Sequence, residues 1–96
     1  MRARFLSPAV NEMFDAAVFY EKQVAQLGER FLSTVEGAVA DLCEQPEGWP
    51  DIGDGVRRRP LRRFPYSVLY RIDEGEIVVV ALMHQRRRPH YWIGRL

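Results

Sequence analysis

The stretch from His84 to Trp92 reads HQRRRPHYW and sets guanidinium, imidazole and phenol groups side by side. Cleaving a phosphodiester through its neighbouring 2′-hydroxyl takes a base for that hydroxyl, a cation for the phosphorane and an acid for the departing oxygen. His84, His90 or Tyr91 could move the protons, and Arg63, Arg86 and Arg87 could hold the phosphate. Each histidine reads equally well as a hydrogen-bonded structural group, and Tyr91 with Trp92 as a seal on the core. Paired carboxylates, a serine or cysteine with an ordered base, a glycine-rich phosphate loop and metal-ligand spacing are all missing. The set therefore calls for no metal and no cofactor.

The charge around these residues is lopsided. Formal net charge is only +1, yet residues 1 to 54 hold 4 Lys/Arg against 10 Asp/Glu (net −6), and residues 55 to 96 hold 10 Arg against 3 Asp/Glu (net +7). Such a split suits a face that seeks phosphates or carboxylates, and it also suits two halves that neutralise each other across the fold. Arginine alone supplies the basic charge of the second half, which fits bidentate gripping of an anion as well as it fits an arginine-rich coding bias.

Length and composition bound what can position these groups. The 96 residues form one domain, 1–96, with 47% hydrophobic and 28% charged residues, as in ordinary folded proteins. Cys43 is the only cysteine, so neither a disulfide nor a cysteine-based zinc site can form, and a reducing cytoplasm is the expected compartment. No export signal and no membrane-spanning run is expected.

Periodicity supplies the elements. Arg2 to Leu6 reads as a short strand, and Ser7-Pro8 as a helix start with Ser7 as N-cap. Val10, Met13, Phe14, Ala17, Tyr20, Val24 and Leu27 then recur at helical spacing up to Gly28, with the aromatic residues assigned to the core. Phe31, Leu32, Val35, Ala38, Val39 and Leu42 mark a second helix that stops before Pro46, and the tight connection makes the pair an antiparallel hairpin. Gly37 within it suggests close helix contact. Glu44 to Gly55 is a turn-rich loop with Trp49 folding back on the core edge. Val56 to Leu61 reads as an edge strand because of Pro60. Phe64 to Ile72 alternates like a strand with one buried face, Asp73 to Glu76 is a turn, and IVVVALM from Ile77 to Met83 is a strand buried on both faces. The predicted fold is α+β, with an N-terminal strand, a helical hairpin and an antiparallel sheet of three or four strands in the order β-α-α-β-β-β.

If the last hairpin turns between Glu74 and Gly75, residues facing each other across it have numbers summing to about 149. Arg86 then lies opposite Arg63 and His84 opposite Pro65, roughly 30 Å from the acidic turn. Pro89 ends the strand and lets His90, Tyr91 and Trp92 fold back over that rim. No carboxylate neighbours the cluster in sequence, so its neutralisation is assigned to a partner.

Arg63-Phe64-Pro65-Tyr66, Tyr70-Arg71 and His84 with Arg86, Arg87, Pro89, Tyr91 and Trp92, together with two preceding helices and LGERF at Leu27 to Phe31, resemble the RelE/ParE toxins of type II toxin–antitoxin systems, especially their plasmid-stabilisation group. The resemblance runs over nearly the whole chain. It implies the β-α-α-β-β-β fold, a growth-inhibiting toxin and a cognate antitoxin bound tightly in a hetero-oligomer. Two targets go with it: DNA gyrase, poisoned without nuclease chemistry as by ParE-like members, or messenger RNA on the ribosome, cut by a metal-independent endoribonuclease as by RelE-like members. Carried over residue by residue, Arg63 with Arg86 or Arg87 would contact phosphate and Tyr91 or His84 would transfer protons. RelE-like members place lysines on the strand before Arg63-Phe64, where this chain has Arg57, Arg58 and Arg59.

Overall fold

Leu6 is where strand gives way to helix in the computed structural model, which describes all residues from 1 to 96. The Leu6 N–H still donates to the Val79 carbonyl at 3.0 Å, while the Leu6 carbonyl already accepts from Ala9 and Val10. The helix thus begins at Ser7, and Leu6 stands in the cap position with no side-chain cap, so the expected capping by Ser7 does not occur. The order is β1 (Arg2–Phe5), α1 (Ser7–Gln23), α2 (Leu27–Glu44), β2 (Arg57–Pro60), β3 (Tyr66–Asp73) and β4 (Glu76–His84), closed by a 3₁₀ turn at Ile93–Arg95.

The α+β class is as predicted, with one difference in the sheet. Strand order is β1-β4-β3-β2, and β1 pairs with β4 in parallel, so the sheet is mixed rather than wholly antiparallel. Four residues of β1 carry no sign of their partner; the unbroken apolar run of β4 shows only that strands flank it on both sides. Glu74 and Gly75, at φ 47° and 78°, form the two-residue turn between β3 and β4, and Pro60 sits on the edge strand β2. An irregularity between Leu69 and Tyr70 shifts the register by one, so His84 faces Tyr66 instead of Pro65.

The helical hairpin covers one face of the sheet. In α2, Phe31, Val35, Ala38 and Leu42 are buried as the period of the sequence requires. In α1 the buried residues are Ala9, Ala16 and Ala17, and this small-residue face lets the helix lie close to β4. Phe14, Phe19 and Val24, by contrast, are more than half exposed, which corrects the assignment of every helical aromatic to the core. Trp49 does pack at the core edge.

Gly28 lies inside α2 and does not end α1, which stops at Gln23. The Glu21 carboxylate accepts the N–H groups of Gln26 and Gly28 at 2.9 and 3.0 Å and so caps the second helix from the first. At Gly28 a Cβ would run into the Ala17 carbonyl oxygen and the Glu21 side chain, whereas one at Gly37 meets nothing within 4 Å. The close contact is therefore at Gly28, not Gly37. Gly28→Ala is expected to destabilise by about 1–3 kcal/mol through overpacking. Gly37→Ala should stabilise by about 0.5–1 kcal/mol through helix propensity alone, and urea unfolding of the two variants checks both signs.

Candidate functional site

The other face of the sheet is not bare. Trp92, only 1% exposed, packs with Val56, Leu69, Val80 and Ala81, and Ile52 and Tyr91 border this second cluster. Residues Ser67 to Tyr70 of β3 are buried on both faces for this reason, against the one-faced burial their alternation suggested.

Two abutting turns carry the free arginines. The Gln85 N–H donates to the Pro65 carbonyl at 2.8 Å, which joins the Arg62–Pro65 turn to the one formed by residues 85–88. Arg63 and Arg86 thus share one rim, although the ladder ends at Tyr66 and His84 and they are not paired across it. The side chains of Arg62, Arg63, Arg86, Arg87 and Arg88 are exposed and enter none of the ion pairs of the molecule.

Arg57, Arg58 and Arg59 are spent inside the fold. Arg57 donates to the carbonyls of Trp49 and Glu47 at 2.6 and 3.3 Å, and Arg58 donates to the Ser67 hydroxyl at 3.0 Å. Arg59 pairs with Asp41 at 2.7 Å and lies 4.9 Å from the Trp49 ring. With the Tyr70 hydroxyl donating to the Pro46 carbonyl at 2.6 Å, they tie the 45–51 loop to the sheet.

His84, Arg87 and Tyr91 converge in a cleft of about 290 Å³ whose other walls include Tyr66, Glu12 and Asp15. Arg63 does not reach it. The Arg87 guanidinium stacks 4.2 Å over the Tyr91 ring, and the His84 Nδ1 accepts the Arg86 N–H at 3.0 Å while its ring meets Tyr66 edge to face. A second cleft of about 270 Å³ also borders Arg87 and is lined by Arg58, Gln85, His90 and Trp92 among others, with no carboxylate in its walls.

Glu12 is the residue the sequence reading missed. Its carboxylate accepts the Tyr91 hydroxyl at 2.7 Å, the Leu82 N–H at 3.2 Å and both arms of the Arg95 guanidinium at 2.7 and 3.0 Å. Arg95 also donates to the Val80 carbonyl at 3.0 Å. The expectation that no internal carboxylate serves this region is corrected: one arrives from α1, far away in sequence, and binds Arg95 and Tyr91 though not the five rim arginines. A signal was present, since Glu12 falls between Ala9 and Ala16 on the buried stripe of α1, where a charge must find a partner.

Burial raises the Tyr91 phenol well above its ordinary range, and its hydrogen bond to Glu12 adds to the rise. Tyr20, Tyr66 and Tyr70 shift the same way, each chiefly through burial. A phenol whose folded pKa is raised stabilises the fold below the unfolded value near 10 and loses that contribution as pH climbs from there toward the folded pKa. Unfolding free energy should therefore fall above about pH 10, and Tyr91→Phe should flatten the fall in a denaturant titration repeated across pH.

A mixed four-stranded sheet under one helical hairpin is consistent with the fold that the RelE/ParE resemblance implied. The chain is similar to a solved structure described as a chromosomal ParDE toxin–antitoxin system from P. aeruginosa, with a TM-score of 0.71, 22% identity and coverage of 88% of this chain and 95% of that one. Residues 3–89 match the family described as ParE toxin of the type II toxin–antitoxin system parDE, and the chain belongs to that family. No curated protein matches it. The protein is the toxin component of such a system, and a cognate antitoxin is its partner. No helix is long and apolar enough to cross a membrane.

Proposed function

We propose that this toxin arrests growth by poisoning DNA gyrase, acting as a binder rather than a nuclease. The observation that carries the reading is the capture of Tyr91. The phenol that would have to donate a proton is held by the Glu12 carboxylate and shifted away from easy ionisation, and Glu12 with Asp15 puts negative charge in the cleft where His84, Arg87 and Tyr91 meet. A scissile phosphate is disfavoured there. The arginine rim, with Arg63, Arg86 and Arg87, supplies instead an open cationic surface.

A ribosome-dependent ribonuclease is the second reading, and one feature favours it: the carboxylate-free cleft shared by Arg58, Arg87 and His90, where an imidazole stands beside two guanidiniums. Purified protein given to gyrase with supercoiled plasmid, and separately to programmed ribosomes, distinguishes the two. Cleaved DNA with intact message is expected, and Arg63→Ala with Arg87→Ala should abolish it together with growth arrest. Cut message without DNA cleavage, lost in His90→Ala, would reverse the choice.

For the antitoxin, the reading is an acidic amphipathic segment laid along the hairpin. An apolar groove of about 320 Å³ is lined by Phe5, Met13, Phe14, Leu32, Val35 and Val39, with Glu36 as its one charged residue, and the half-exposed Val18 lies one helical turn beyond Phe14. A segment that orders on binding can fill such a groove and set its carboxylates against the arginine rim. The two chains then form the toxin–antitoxin hetero-oligomer, and both act in the cytoplasm.

A further inference from the structure

The largest concavity of the molecule lies apart from both clefts, between the first turns of α2 and the Arg62–Pro65 turn, and measures about 590 Å³. Arg30 and Arg63 line it from two different elements, with Ser33, Thr34, Tyr20 and Phe64 among the other residues of its walls. The Thr34 hydroxyl is committed to the Arg30 carbonyl at 2.8 Å. Glu29 also borders the groove, yet neither guanidinium is ion-paired to it or to any other carboxylate.

The backbone at Arg63 adds a second observation. Its φ of 68° is left-handed, a conformation that a long side chain adopts at a cost of order 1–3 kcal/mol and keeps only where the surroundings enforce it. The Leu61 N–H bonded to the Tyr66 carbonyl at 2.8 Å closes the turn that does so. Gln26, with a φ of 73°, is left-handed as well, so two residues of the groove wall, Arg63 among them, are held in this conformation.

We propose that this groove seats the phosphodiester backbone of a nucleic acid, duplex DNA before others. A guanidinium fork matches two phosphate oxygens. The free cations also do not stop at the groove: Arg62 follows on the same turn, and Arg86, Arg87 and Arg88 on the turn bonded to it through Gln85 and Pro65. A lone carboxylate or phosphate would answer one or two of these groups, whereas a polyanion with regularly repeated charges answers the row. Binding here goes beyond the gyrase reading and requires no gyrase.

The experiment is fluorescence anisotropy of a short labelled DNA duplex with purified toxin over a series of salt concentrations. Arg30→Ala/Arg63→Ala is expected to bind about tenfold more weakly and to flatten the log–log salt dependence by roughly 2, the loss of two phosphate contacts. Arg2→Ala, a basic residue on β1 at the end where Glu76 pairs, should leave both unchanged. Both exchanged side chains are exposed, and a thermal melt of the double variant verifies that it is folded. Wild-type binding by the double variant would overturn the proposal, as would displacement of the duplex by polyglutamate as readily as by unlabelled DNA. Tighter binding of single-stranded RNA, lost in the same double variant, would support the groove and name RNA as the source of the phosphodiester. With gyrase absent from the assay, failure here leaves the gyrase reading standing, and failure of that reading leaves this result untouched.

Discussion

Glu12→Ala should lower the stability of the toxin by about 3 kcal/mol and its melting temperature by on the order of 10–20 °C. The Glu12 and Arg95 side chains are each only 18% exposed, so the alanine leaves the Tyr91 phenol and the Leu82 N–H with no partner and the Arg95 guanidinium with the Val80 carbonyl alone, in a largely dry place. The penalty comes from stranding those groups more than from the attraction lost. Glu12→Gln keeps an acceptor for the Leu82 N–H and should recover part of the loss. Arg95→Met in the Glu12→Ala background should cost less than the two single changes added together, because the stranded cation is gone. A melting temperature within a few degrees of wild type for Glu12→Ala would mean that the Glu12 cluster does not hold the C-terminal segment.

Trp92→Ala should be at least as damaging, about 3–5 kcal/mol, because it removes the largest fully buried side chain from the second face of the sheet. The effect is expected to be directional. Hydrogen exchange should accelerate first in residues 85–96 and in the 49–56 loop, which share the Trp92 cluster, while the helical hairpin on the opposite face keeps its protection. Since residues 85–88 carry three of the rim arginines, growth arrest should weaken at temperatures where the variant is still mostly folded. Uniform loss of protection through α1 and α2 would show instead that the two faces unfold as one unit.

The two substitutions mark the boundary between what could be read along the chain and what could not. Period and punctuation sufficed for α2, for the β3–β4 hairpin with its Glu74-Gly75 turn, for the edge position of β2 and for the α+β class, because each depends on residues within a few positions of one another. The rim of Arg63 and Arg86 was legible too, since a hairpin of known turn fixes which ends meet. The resemblance carried by Arg63 to Tyr66 and His84 to Trp92 pointed to the toxin family that the match over residues 3–89 establishes.

Elsewhere local signals were silent or misleading. Of the apolar stripe read along α1, Met13, Ala17 and Tyr20 meet the core while Phe14 and Val24 stay exposed, and that division is settled by how closely α1 approaches β4 and by where the helix ends. A four-residue β1 cannot announce a parallel partner more than seventy positions away. Arg57 to Arg59 read as free charge until the loop that they hold is seen folded against them. Most consequential is Tyr91, which has the same neighbours in sequence whether it is a free acid or a locked one. Amino-acid order settles local conformation through nearest-neighbour sterics and hydropathy. The ionisation of a side chain depends on the field of whatever the fold brings within a few ångströms, and for Tyr91 that is Glu12 from the far side of the chain.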